Sequence, residues 1–140
     1  MSDTFRTTVL HLTTGRREVV MDLNDRCEEF LAGAADGSDG LLNVFVPHAT
    51  AGVAVLETGA GSDEDLLNTL RDLLPPDDRW RHRHGTPGHG RDHVLPALVA
   101  PHATLPVIGG SLQLGTWQSV CLVDTNVSKD NRQVRLSFLS

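Results

Sequence analysis

The chain has 140 residues, 39% of them hydrophobic and 21% charged, with a formal net charge of −6, which fits one globular α+β-sized domain over 1–140 and excludes a disordered chain. Twelve basic residues against eighteen acidic ones, with Lys129 as the single lysine, argue against a nucleic-acid partner, because phosphate backbones are held by Lys and Arg. No apolar run approaches the roughly 20 residues of a membrane span, the N-terminus has no charged-then-apolar leader pattern, and Cys27 and Cys121 form no CxxC pair, so a soluble cytoplasmic protein with no membrane association and two buried thiols is expected.

Aromatic residues are only 4%, so the core must be aliphatic. Thr4 to Leu12 alternates as a strand, and Glu18 to Met21 supplies a second after the turn at Gly15. Asp22 is placed to cap a helix carrying Leu23, Cys27, Phe30, Leu31 and Ala34 at helical spacing, which ends in the loop Gly33–Gly40. Two apolar strands, Leu41–Pro47 and Gly52–Glu57, flank Pro47-His-Ala-Thr-Ala51. Ser62-Asp-Glu-Asp65 reads as a capping box opening a second helix, with Leu66, Leu67, Leu70, Leu73 and Leu74 on its apolar face and Pro75-Pro76 as its stop. Val94–Ala100 allows a short helix with Pro96 in its first turn. Thr104–Ile108, Ser111–Leu114, Thr116–Thr125 and Arg132–Leu139 are strand candidates. The order implies an α+β fold of two packed, mainly antiparallel sheets, a sandwich with two to three helices.

Four of the seven histidines lie in one short stretch, as His82-x-His84 and His89-x-x-x-His93, among Arg79, Arg81, Arg83 and Arg91. Imidazole is the commonest nitrogen ligand of zinc, and three nitrogens with an open fourth position make a catalytic-type site. Gly90 counts against a regular helix between His89 and His93. His48 stands at the end of an apolar strand, with Thr50 and the amides near Gly52 as anion donors beside it. Glu57 closes its strand either as a buried carboxylate needing a partner or as the point where the strand meets solvent. Gly115-Thr-Trp-Gln118 offers an indole and an amide to a pocket or a subunit contact. No phosphate loop, dinucleotide fingerprint or serine-hydrolase elbow is present.

Pro47-His48-Ala-Thr-Ala51 with Glu57, then Asp65 and Leu74-Pro75, Trp80-Arg-His82, Asp92-His93, Leu105-Pro106 with Gly110, Leu114-Gly-Thr-Trp-Gln118 and Arg132-x-x-Arg135 follow one another in this order. In these blocks the chain resembles, over essentially its full length, the YjbQ family, also described as secondary thiamine-phosphate synthases. The resemblance implies two β-sheets with helices, a homotrimer about a threefold axis, and a site near a subunit boundary. It singles out His48, His82 and His93, the set assigned here to a divalent metal or an anion, whereas His84 and His89 do not match the family pattern. It matches Glu57 and Asp65 to acidic positions, here assigned as orienter or base, and Trp117 and Gln118 to its signature strand. Thr50, Arg81, Arg83, Trp117 and Gln118 complete the expected substrate contacts. Leu56, Gly59-Ala60-Gly61 and Trp80 depart from residues the family often carries. The implied activity joins a pyrimidine diphosphate to a thiazole phosphate and releases pyrophosphate. The alternatives are a non-catalytic trimer that binds a metal or a small phosphorylated metabolite, and a metal-dependent phosphoester hydrolase. Zinc suits a three-histidine site, and magnesium would want oxygen ligands.

Overall fold

The structure, a computed structural model, describes residues 4–140. Eight strands and three α-helices follow in the order β1 (Phe5–Thr13), β2 (Val19–Asp22), α1 (Asn24–Ala34), β3 (Gly40–Phe45), β4 (Ala51–Leu56), α2 (Ser62–Leu73), α3 (Leu95–Leu98), β5 (His102–Ile108), β6 (Ser111–Leu112), β7 (Ser119–Asp124) and β8 (Asn131–Leu139), with a 3-10 helix at His89–His93 before α3. The strands form a five-stranded sheet in the order β1-β8-β3-β5-β6 and a three-stranded sheet in the order β2-β7-β4. Every pairing is antiparallel, so the expected fold class holds.

Leu42, Val44, Val107, Val134, Leu136 and Phe138 line the inner face of the large sheet and pack on Val53, Val120 and Leu122 of the small one. Leu23, the N-cap of α1, and Cys27 and Leu31 within it recur every fourth position and close this core. The helix starts where Asp22 Oδ1 accepts the Asn24 amide at 2.8 Å. A second apolar cluster, with Leu70, Leu74, Leu95 and Val123, covers the opposite face of the small sheet with α2 and α3. The middle strand β7 is therefore buried on both faces. That accounts for its unbroken apolar run, and burial pushes the Cys27 and Cys121 thiols up to about 12.

Two local expectations change. Ser62 is the first helical residue of α2, and Gly61, at φ +100°, is its cap with no side-chain bond, so the Ser62–Asp65 box is not formed. Residues 116–118 form a turn ahead of β7, because Gln118 Oε1 accepts the Gly115 amide at 2.8 Å and the Gln118 amide donates to the Gly115 carbonyl at 3.0 Å.

The two sheets are tied at one end by a buried ion pair. Arg132, 1% exposed on β8, donates from Nε to Asp124 Oδ2 of β7 at 3.1 Å. Its other nitrogens donate to Thr14 Oγ1 and to the carbonyls of Gly15, Asn126 and Lys129. Asp124 Oδ1 in turn accepts from Thr50 Oγ1 at 3.2 Å and from the Asn126 amide at 2.9 Å. Removing one partner strands the other charge in the interior. Arg132→Ala is expected to lower unfolding stability by about 3–5 kcal/mol in denaturant titration; a loss below about 1 kcal/mol would show that the pair does not hold the sheets.

Candidate functional site

The histidine stretch folds back on itself immediately beyond α2. Pro75-Pro76 ends the helix, and the Trp80 indole N–H donates to the Pro75 carbonyl at 2.8 Å, turning the chain inward. Further on, Arg91 runs beneath α2 and donates to the Leu74 carbonyl at 3.3 Å. Arg91 also pairs with Glu18, whose second oxygen lies 2.7 Å from Arg71 of α2. Gly90 makes the fold-back possible. A Cβ there would sit 2.5 Å from both the His82 carbonyl oxygen and the Trp80 Cβ, so only glycine lets the two limbs of the loop approach this closely.

The result is a convergence of rings. One ligand nitrogen from each of His82, His89 and His93 lies within 4.8 Å of the others. The His82 and His93 ring centroids are 4.0 Å apart, and the exposed His84 ring lies tilted against His82 at 3.9 Å. His89 and His93 meet edge to face, with their Nε2 atoms 2.9 Å apart. His82 Nε2 is buried and has no hydrogen-bond partner, a costly state for a polar atom. Burial, reinforced by the neighbouring histidines, holds His82 and His93 below the usual histidine value. Both rings are thus biased toward the neutral form that ligates metals. Tetrahedral zinc with nitrogens at roughly 2.1 Å would want its ligands about 3.4 Å apart, against nitrogens that here lie within 4.8 Å of one another. Beside them opens a cavity of about 280 Å³ bounded by Trp80, His82, Arg83, Thr86, His89 and Asp78.

The third nitrogen here is His89, where the sequence pointed to His48. Its entry into the site rests on the 3-10 helix His89–His93, which brings both rings together although Gly90 disfavours a regular α-helix. His48 serves a different contact: its Nε2 accepts the Gln133 amide of β8 at 2.9 Å, beyond the point where Pro47 has ended β3. Burial first, and then the Lys129 charge, lowers its pKa, which suits a ring nitrogen that must accept. His48 and the histidine loop flank the same turn after β7. Thr50, two residues from His48, bonds Asp124, while Thr125 donates to Asp92 at 2.7 Å and Ser128 bonds Thr86.

The remaining expected residues fall into two groups. Arg83 reaches the cavity, with its Nε donating to the Trp80 carbonyl at 3.1 Å, and Arg81 is exposed on the same loop. The Thr50 hydroxyl is committed to Asp124 inside the protein. Glu57 and Asp65 are both exposed, and the chain does not bring either to the histidines. The reason is strand and helix direction. β4 starts beside Asp124 and carries Glu57 roughly 20 Å away, and Asp65 sits some 14 Å up α2 from the Leu74 end that bears the loop. Trp117, 73% exposed, and Gln118 lie at that same far end, since Ser119 pairs with Leu56. Sequence reasoning passed over Asp92 and Thr125 as partners. The His89-x-x-Asp92 spacing was the available signal for the first, and nothing local marked the second.

The profile of the family described as UPF0047 protein YjbQ-like matches residues 8–140. The chain belongs to that family. A UPF0047 protein of Mycobacterium tuberculosis is 60% identical over 133 residues, covering 95% of this chain and 97% of its own length. A UPF0047 protein of Methanothermobacter thermautotrophicus is 30% identical, covering 91% and 87%. Among solved structures, a hypothetical protein of Aeropyrum pernix K1 aligns at TM-score 0.86 with 34% identity over 96% of this chain and 98% of that one. A YbjQ-like protein of unknown function from Sulfolobus solfataricus P2 aligns at TM-score 0.91 over 99% of each chain, at 23% identity, and supports the fold. Among the described residues, no helix is long and apolar enough to cross a membrane.

The YjbQ-like chain should show the acid response of desolvated histidines. His48, His82 and His93 titrate below the usual value when folded, so the unfolded chain protonates first and stability falls as pH drops through about 6.5. Urea midpoints of metal-free protein should therefore be lower at about pH 5.5 than at about pH 7.5, with a shallower slope in His93→Gln; an unchanged slope in that variant would remove His93 from the desolvated set.

Proposed function

We propose that this YjbQ-like protein holds a divalent metal, zinc by the chemistry of its ligands, with His82, His89 and His93, and binds a small phosphorylated metabolite in the adjoining cavity. The observation that carries this is the buried His82 Nε2, the one side-chain nitrogen or oxygen among the described residues that is buried without a partner. One nitrogen of the same ring lies within 4.8 Å of a nitrogen of His89 and of His93, close enough to share an ion. An all-nitrogen set fits zinc and does not fit magnesium, which keeps oxygen ligands. Bound zinc would supply positive charge to a phosphoryl oxygen. The chain's own residues do the rest: Arg83 offers a cation at the cavity wall, and the half-buried Trp80 limits how far water enters.

The condensation implied by the family resemblance requires two phosphorylated substrates together. A cavity of about 280 Å³ is at the small end for even one ligand, so hydrolysis or binding of a single phosphomonoester is the reading that the geometry supports better. Zinc-loaded protein is expected to release phosphate from some member of a phosphomonoester panel, with at least a ~100-fold loss in His82→Ala. Thiamine phosphate and pyrophosphate formed from the paired substrates, and not phosphate from the panel, would instead establish the condensation. Neither product, with no zinc retained by untagged protein, would remove both readings.

The homotrimer is carried forward as part of the proposal. Phe5, Leu139 and Leu41 are cross-strand partners on the outer face of the large sheet and are 60%, 53% and 47% exposed, with Phe45 and Ile108 on the same sheet. A monomer seldom leaves so contiguous an apolar row uncovered. Light scattering at micromolar concentration is expected to give three times the 15.2 kDa chain mass, and Leu41→Glu should shift it to the monomer; a wild-type monomer would overturn this assembly.

A further inference from the structure

Asp92 is the feature of the site that the proposed function leaves unused. It is 4% exposed, and three groups surround its carboxylate. Thr125 Oγ1 donates to Oδ1 at 2.7 Å, Arg91 Nε lies 3.5 Å from the same oxygen, and His89 Nδ1 lies 3.0 Å from Oδ2. A carboxylate held in this way only accepts, so the hydrogen between Asp92 and His89 belongs to Nδ1. His89 Nε2 is then left with its lone pair, and it faces His93 Nε2 at 2.9 Å. Only one hydrogen fits between those two nitrogens, and His93 must supply it. With that assignment the contacts run one way, from His93 to His89 and from His89 to Asp92, while Thr125 donates to Asp92 from the other side.

We propose that Asp92, braced by Thr125, is the positioning residue that fixes the tautomer and aim of His89, making His89 the preset ligand of a zinc-class centre. His93 is the adaptable ligand, because it can ligate through Nε2 only after moving its hydrogen to Nδ1. Carboxylates in this outer position orient ligating imidazoles and raise their basicity, and their loss typically costs ten- to a hundredfold in metal affinity. The bracing also joins the site to the fold. Thr125 follows the last residue of β7, and Arg91 is anchored through Glu18 next to β2, so Asp92 is held by both the small sheet and the loop. The affinity part of this inference rests on the reading that the histidines take a metal; the tautomer part does not.

The experiment has two arms on the full, untagged chain. In the first, nitrogen-15 spectra of the metal-free wild type read imidazole tautomers directly, with His89 expected to carry its hydrogen on Nδ1 and His93 on Nε2. A hydrogen on His89 Nε2 would overturn the proposal without need of any variant. In the second, zinc affinity is measured by competition with a chromophoric chelator for wild type, Asp92→Asn and Thr125→Val, each checked for a cooperative melt. Asp92→Asn is expected to bind about ten- to a hundredfold more weakly, with Thr125→Val intermediate. An Asp92→Asn affinity within about twofold of wild type would overturn the positioning role. If Asp92→Asn does not fold, Thr125→Val and the wild-type spectra decide. A wild type that binds no zinc but shows the expected His89 tautomer would remove the metal reading and uphold the Asp92 contact.

Discussion

The buried pair of Arg132 and Asp124 is the constraint on which the arrangement of this molecule turns. A guanidinium taken out of water needs each of its donors satisfied, and here the acceptors come from five places: Asp124, Thr14, Gly15, Asn126 and Lys129. Those acceptors belong to the end of β7, the end of β1 and the connection to β8. One cation therefore fixes where the large and small sheets meet. The turn it organises is the same one that presents Thr125 to Asp92 and Ser128 to Thr86, and so the histidine loop inherits its position from a charge pair that takes no part in its chemistry.

The site itself is a concentration of imidazole rings from one loop. Burial first, and then the neighbouring rings, holds His82 and His93 below the usual histidine value. The arginines close to it divide by role. Arg91 is locked between Glu18, Asp92 and the Leu74 carbonyl and serves the scaffold, whereas Arg83 keeps its charge at the cavity. Asp77 and Asp78 share that wall with Arg83, so the cavity carries both signs of charge on a chain whose overall charge is negative.

Much of the fold could be read directly from residue order. Alternation in Phe5–Thr13 and Asn131–Leu139, the apolar spacing of α1 and α2, and the punctuation by glycine and proline all correspond to real elements. The local misreadings, Ser62 as a cap and 116–118 as strand, arose where a glycine or a glutamine side chain supplied the turn. The pairing of His82 with His93 was legible, and their ring centroids do lie 4.0 Å apart. His89 does not match the family pattern, and Gly90 beside it, which counts against a regular helix, is what admits the close return of Trp80 and His82. Within one chain Glu57 and Asp65 stand apart from the histidines for a reason of direction: nearness in sequence order does not say which end of a strand or helix a residue occupies. Asp92 and Thr125 are separated by 33 positions, and no periodicity relates them.

The strand order carries one more consequence, for the time at which the molecule becomes itself. β1 lies at the edge of the large sheet and pairs with β8 alone, Phe5 opposite Leu139 through Thr13 opposite Asn131. During synthesis the earliest strand to emerge therefore waits for the latest, with its backbone donors and acceptors open to any other strand in the meantime. Arg132 lies on that same late strand, so its bonds to Thr14 and Asp124 arrive together with the sheet closure. The histidine loop is translated well before the residues that brace it, and a competent site can form only once nearly the whole chain is present.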